Sequence, residues 1–320
     1  MKKKFLLVVG LLSMLTLVAC GSNNKTDDSK GGVDKGDHKY SIGLSMNTQT
    51  NPFFVTVTEG VQKAADENKI KLTVTDAQDD PATQLKDVEN LITKKPDAII
   101  IDPTDSDAII PAIEAANEAG IPVFTMDREA SGGEVIAHVG YDAIKSGNLA
   151  GEFLVEQLKG KGKIVELEGI IGTNVARDRS KGFNEIMAKN KGMTVVAKQT
   201  AKFDRAEAMS VMENILQANK EIDGLYAAND EMLLGAMEAI QAAGRADEII
   251  VIGCDGLDET LEGIKAGTIS ATIAEPPFFL GKDILNTAFK YLEGETPEKN
   301  VVLDNKLLTK DNVDTYVSRE

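Results

Sequence analysis

The chain has 320 residues, 51 of them Asp or Glu against 35 Lys or Arg, and a formal net charge of −16. An acidic surface of this kind repels nucleic-acid phosphates and anionic lipid head groups, which excludes a nucleic-acid-binding role. Two cysteines and two histidines are too few for a disulfide framework or a histidine-ligated metal centre.

In chain order, Lys2-Lys3-Lys4 precedes an apolar run over residues 5–18, and Leu17-Val18-Ala19-Cys20 leads into the polar Gly21-Ser22-Asn23-Asn24. A basic start, a short apolar stretch and small residues before a cysteine form a bacterial lipoprotein signal. The 14-residue apolar run is shorter than the roughly 20 residues that span a bilayer. Residues 1–19 are therefore expected to be a signal peptide. Cys20 would then be the acylated first residue of the mature chain, carrying palmitate-type lipid and anchoring it to the outer face of the cell membrane. Loss of residues 1–19, with their three lysines, takes the charge from −16 to −19. Residues 20–38 hold little that can be buried beyond Val33 and are expected to be a flexible tether. Cys254 is then the only other thiol. Following an apolar run, it is expected to be a small buried hydrophobe.

From residue 39 onward, short β-rich runs alternate with stretches whose apolar positions recur three or four apart. Strands are expected over residues 40–46, 71–75, 98–102, 122–126 and 136–140, with helices over 53–69, 81–94 and 106–119 between them. A second series follows at 163–168, 193–199, 224–227, 249–253 and 270–274, again with helices between. Such alternation implies α/β architecture, two doubly wound parallel-sheet lobes in succession.

Ligands of open parallel sheets bind beyond the carboxyl ends of the strands. Those ends carry Asn51-Pro52-Phe53-Phe54, Asp127-Arg128, Arg177-Asp178-Arg179, Phe203-Asp204-Arg205, Asn229-Asp230-Glu231, Asp255-Gly256 and Glu275. Aromatic rings cover the C–H faces of a sugar, carboxylates accept from its hydroxyls, guanidinium forks donate to them, and Asn does both. Asp127, Arg128, Arg179, Asp255 and Glu275 sum to −1, which favours a neutral ligand over a phosphate or carboxylate. Other readings stay open: Phe53 or Phe54 as core, Asp127 as a helix N-cap, Asp255-Gly256 as a turn, and Arg177 and Arg205 as solvated surface.

Residues 39–320 resemble the type I periplasmic sugar-binding proteins, the ribose-binding members of ABC importers in particular. The resemblance is carried by the strand-end motifs above together with residues 68–81, Pro103-Thr104-Asp105-Ser106-Asp107, Glu168-Gly169, residues 253–256 and Ala271-Thr272-Ile273-Ala274. It implies two lobes, residues 39–141 plus 276–304 and residues 142–275 plus 305–320, joined by a three-segment hinge near residues 140–142, 274–276 and 304–306. It also implies that Phe53 and Phe54 stack on one face of a monosaccharide, most simply D-ribose, and Phe203 on the other. Asn51, Asp127 and Arg128 would bind hydroxyls from one lobe, and Arg179, Asn229 and Asp255 from the other. The family pattern usually has Gln where this chain has Glu275, an acceptor that cannot donate when ionised.

The resemblance further implies partnership with an ABC permease and its cytoplasmic ATPase, and no cofactor or metal. No phosphate-binding or dinucleotide-binding glycine motif is present, and with His38 and His138 the only histidines, an enzyme is not expected. Sugar-responsive repressors share the body but carry a helix-turn-helix where this chain has its lipoprotein signal. A receptor docking on a sensor kinase or chemoreceptor remains the alternative.

Overall fold

A computed structural model describes residues 38–319. The expected signal peptide, Cys20 and nearly all of the tether lie outside the described residues. Among the described residues, no helix is long and apolar enough to cross a membrane.

The first half runs β1 (Tyr40–Met46), α1 (Pro52–Glu67), β2 (Ile70–Asp76), α2 (Pro81–Thr93), β3 (Ala98–Ile101), α3 (Ile110–Glu118), β4 (Val123–Met126) and β5 (Ala137–Tyr141). The second half runs α4 (Ala143–Gln157), β6 (Gly162–Glu168), α5 (Asn174–Lys189), β7 (Met193–Thr200), α6 (Arg205–Ala218), β8 (Gly224–Ala227), α7 (Asp230–Ala242), β9 (Ile250–Asp255), α8 (Asp258–Ala266) and β10 (Ala271–Ala274). Then come α9 (Pro277–Leu292), β11 (Asn300–Leu303) and β12 (Lys306–Thr309).

Two six-stranded sheets result, ordered β11-β5-β4-β3-β1-β2 and β12-β10-β9-β8-β6-β7. The chain passes between the sheets after β5, after β10 and between β11 and β12. α4 therefore packs on α5 in the second lobe, and α9 packs on α1 in the first. All pairings are parallel except β10 with β12, which is antiparallel. The alternation of the sequence does not contain β11 or β12, because four-residue strands with half-exposed patterns carry almost no periodic signal.

Strand β3 shows why the sheets are covered on both faces. Its four residues are all fully buried, with Ile100 turned toward α1 and α9 and Ile99 and Ile101 toward α2 and α3, as the period of two in a strand requires. In the second lobe the Phe183 and Tyr226 rings stack at 4.5 Å, and Cys254 is buried in the same core.

Helix α3 begins four residues later than the sequence periodicity predicts. The Asp105 carboxylate accepts from the amides of Asp107 and Ala108, an Asx turn that holds the backbone out of the helix.

Helices α4 and α5 cross at glycines. A Cβ on Gly147 would lie 2.0 Å from the Arg179 carbonyl oxygen, and one on Gly182 would lie 2.1 Å from that of Ile144. Gly182→Val is expected to lower stability by about 1–3 kcal/mol through overpacking, read as a lower urea midpoint; an unchanged midpoint would contradict the close approach. A second expectation concerns His138, which bonds Thr125 Oγ1 at 3.0 Å and whose burial pushes its pKa from 6.5 down to about 4. The unfolded chain takes up this proton first, so the contribution is complete above pH 6.5 and is lost toward pH 4, at about 1.4 kcal/mol per pH unit. In urea titrations, the stability difference between wild type and His138→Gln should change with pH only in that window.

Candidate functional site

In each sheet the strand order reverses beside the lobe's first strand, β1 or β6, and the carboxyl ends of the two sheets face each other across one cleft. The cleft is narrow, with about 280 Å3 of space that includes its open mouth. Asn51, Phe53, Phe54, Asp127 and Arg128 line it from the first lobe, and Val175, Arg179, Phe203, Asn229 and Asp255 from the second. Val175 has no polar group to mark it in the sequence; it reaches the wall because it stands in the first turn of α5.

Both asparagines are helix N-caps. Asn51 Oδ1 accepts from Phe53 N at 2.9 Å and Asn229 Oδ1 from Met232 N at 3.0 Å. Their oxygens are thus committed to the helices, which leaves the amide nitrogens as donors rather than the donor-acceptor pairs expected from residue type. Phe53 and Phe54 are buried in the first core and also line the cleft, so the two readings of these rings coexist.

Asp127 precedes no helix. With φ of 53° it sits at a tight reversal between its amide's bond to Val139 O and the Arg128 amide's bond to Met126 O. Phe203 (φ 60°) and Asp255 (φ 130°) also have positive φ, which a non-glycine residue keeps only where the surrounding structure over-determines it. Phe203 lies directly over Gly169, where any Cβ would be 2.0 Å from its ring.

Two guanidinium groups are buried in the cleft. Arg128 lies between Phe54 and Phe203, its Cζ 5.2 and 5.6 Å from the two ring centroids, with Asp127 Oδ2 4.0 Å from its Nε. Arg179 donates to Ala228 O at 2.6 Å and to Glu275 Oε2 at 2.5 Å, with Asp255 Oδ1 at 3.8 Å. Burial pushes the Asp127 and Asp255 carboxyls above the usual range, opposed by Arg128 at the first and Arg179 at the second.

Glu275, expected among the ligand contacts, is 1% exposed and stands behind Arg179 instead of on the cleft wall. Asp230, which the sequence left without a role, is buried and accepts from Gly256 N, Leu257 N and Thr272 Oγ1, so it holds the loop that carries Asp255. Burial raises its pKa to about 7, against those hydrogen bonds. Among the described residues Arg177 bonds the nearby Ile171 O, while Arg205 pairs with Glu231 and Glu259 at the surface.

Cys254, Asp255 and Glu275 bring three possible metal-ligand atoms within 4.8 Å of one another. The Arg179 guanidinium already supplies the cation there, and a metal ion would have to displace it.

The lobes also meet outside the cleft. Ser106 N donates to Gly172 O at 3.2 Å, Asn174 N to Ser106 Oγ at 3.2 Å, and Glu129 N to Asn174 Oδ1 at 2.9 Å.

A sequence profile for a periplasmic binding protein domain matches residues 42–296. The ribose import binding protein of Bacillus subtilis is 40% identical over 307 residues, 96% of this chain and 99% of that protein. Among solved structures, a Bacillus halodurans ABC-transporter solute-binding protein with bound myo-inositol superposes with a TM-score of 0.83 at 32% identity, covering 88% of this chain and 98% of its own. The fructose-binding periplasmic domain of a hybrid two-component system superposes with a TM-score of 0.82 at 28% identity, covering 86% and 92%.

Arg179→Met would leave Glu275 and Asp255 buried without their cation and is expected to cost about 3–5 kcal/mol. Arg205→Met, at a surface cluster, is expected to cost at most about 1 kcal/mol. Urea denaturation of the two variants separates these outcomes, and equal costs would contradict the burial argument.

Proposed function

The chain belongs to the type I periplasmic sugar-binding protein family, and from that premise we propose that it is the extracytoplasmic receptor of an ABC sugar importer, binding one neutral monosaccharide, D-ribose, between its lobes. It is a binding protein and not an enzyme, as its relatives are. The observation that carries the reading is the composition of the cleft: aromatic faces from both lobes, amide and guanidinium donors, and two carboxylate acceptors, all buried except the half-buried Asn51.

In this reading, Asn51, Asp127 and Arg128 take the sugar first, with Phe53 and Phe54 against one ring face. Residues 142–275 plus 305–320 then swing over residues 39–141 plus 276–304, bringing Arg179, Asn229, Asp255 and Phe203 onto the other side. Ligand contacts made only in the closed arrangement supply the free energy of closure. The closed face docks on the permease, whose ATPase-driven cycle parts the lobes and releases the sugar. A lipid at Cys20 keeps the receptor at the membrane. Ribose is favoured by the 40% identity to a ribose import binding protein along nearly the whole chain. A second reading, a sugar sensor docking on a membrane kinase, draws support from the likeness to the fructose-binding periplasmic domain of a hybrid two-component system.

Titration calorimetry on protein stripped of ligand by unfolding and refolding tests the proposal against ribose, allose, galactose, xylose and glucose. One-to-one binding of ribose is expected. Phe203→Ala should weaken it by about 1.5–3 kcal/mol, roughly ten- to hundredfold in Kd. Silence across the panel would sink the sugar assignment, and near-wild-type affinity of Phe203→Ala would sink the placement of the site.

A further inference from the structure

Glu275 directly follows β10 and lies in the second of the three passages between the sheets. Its Oε1 accepts from Ser146 Oγ at 2.5 Å and from Asn305 Nδ2 at 3.1 Å. Ser146 stands in the first turn of α4, just past the first passage, and Asn305 lies in the third. Asn305 Nδ2 also reaches Ser146 Oγ at 2.5 Å and Asp142 O at 3.1 Å. One carboxylate oxygen therefore gathers all three connecting segments. The other, Oε2, holds Arg179 Nη2 at 2.5 Å.

Arg179 is fixed at both ends of its fork, since Nη1 donates to Ala228 O at 2.6 Å. Its Nε is buried and has no hydrogen-bond partner among the described residues. A buried donor without a partner is costly unless something else accepts from it, and Arg179 is on the cleft wall. An occupant of the cleft is a candidate acceptor for this donor.

We propose that Glu275 is a positioning residue: it makes no contact with the sugar and instead clamps Arg179 against the junction of the three connecting segments, aiming Nε at a ligand oxygen. Because the clamp is built on the connecting segments, the aim of Arg179 depends on how those segments are arranged, which ties the site to the motion between lobes. This assignment rests on the proposed reading of the cleft as a sugar site contacted by Arg179. An amide in this arrangement lacks the carboxylate's charge and its second acceptor oxygen. With its single oxygen turned to Ser146 and Asn305, its NH2 would face the guanidinium donors, and turned the other way it would hold Arg179 without a charge and force Ser146 and Asn305 to switch from donating to accepting.

A double-mutant cycle tests the clamp on the full-length protein, with D-ribose as the calorimetric probe. Glu275→Gln and Arg179→Lys should each weaken ribose binding about tenfold or more, since each breaks a charge-assisted bond or its fork geometry. The double variant should fall within about twofold of the weaker single variant, because both act through one group. Losses that multiply would overturn the proposal, since Glu275 would then act on the sugar independently of Arg179.

NMR of the Arg179 Nε–H group in the ligand-free protein provides a readout that needs no sugar. Its resonance should shift and its guanidinium rotation quicken in Glu275→Gln, and an unchanged signal would overturn the clamp. If wild type does not bind ribose but the signal responds, the ribose assignment fails and the clamp stands. Should Glu275→Gln not fold, Glu275→Asp, which keeps the charge and shortens the reach, replaces it in both experiments with the same expectations.

Discussion

A guanidinium removed from water must be neutralised where it stands, and this requirement organises both walls of the cleft. Arg128 and Arg179 are 2% and 3% exposed, and the desolvation penalty for each such ion is several kcal/mol. Each lobe meets it with its own means. The first sets Arg128 against Phe54 and beside Asp127, with Pro103 O accepting from Nη1 at 3.3 Å, while Phe203 of the second lobe covers its other side. The second surrounds Arg179 with Glu275, Asp255 and the Ala228 carbonyl. Since charge is largely balanced within the walls, what remains for an occupant is a set of directed donors and acceptors around apolar faces. That set matches the neutral polyhydroxylated ligand proposed above.

Rigidity of those groups comes from the elements behind them. Asn51 and Asn229 are held because their oxygens cap α1 and α7. Asp255 is held because Asp230 grips the next two backbone amides. Asp127, Phe203 and Asp255 adopt positive φ, at a cost on the order of 1–3 kcal/mol each. The surrounding bonds over-determine these conformations, so the cleft does not need to reorganise around a ligand within each lobe. The freedom that the proposed mechanism requires lies between the lobes.

There Phe203 lies against Arg128 and Leu257 packs into the first lobe's core, and the hydrogen bonds are few. Ser106, Glu129, Gly172 and Asn174 exchange three hydrogen bonds across the mouth. At the far side Arg319 reaches Glu59 and Thr56 of α1. Bonds of this kind contribute about 0.5–1.5 kcal/mol each, and the exposed ion pair less. A ligand bridging both walls adds an amount of the same order, which is the condition under which it can set the balance between open and closed forms.

Much of this was legible in the sequence because burial along a single element leaves a local record. The strand of Tyr40–Met46, the alternation into two lobes, and nine of the ten cleft-wall residues followed from periodicity, residue type at strand ends and the family resemblance. The sequence also marked residues 1–38, through Lys2-Lys3-Lys4, the apolar run and Cys20, as an exported and lipid-anchored leader and tether; all but His38 of that stretch is outside the described residues. What tertiary structure alone decided is which atoms are free. It shortened α3 through Asp105, added β11 and β12, turned both asparagines into caps and withdrew Glu275 behind Arg179. Each of these depends on a hydrogen bond whose partner is set by the local turn geometry or by residues far away in the chain. Neither composition nor spacing records which lone pair or N–H such a bond consumes.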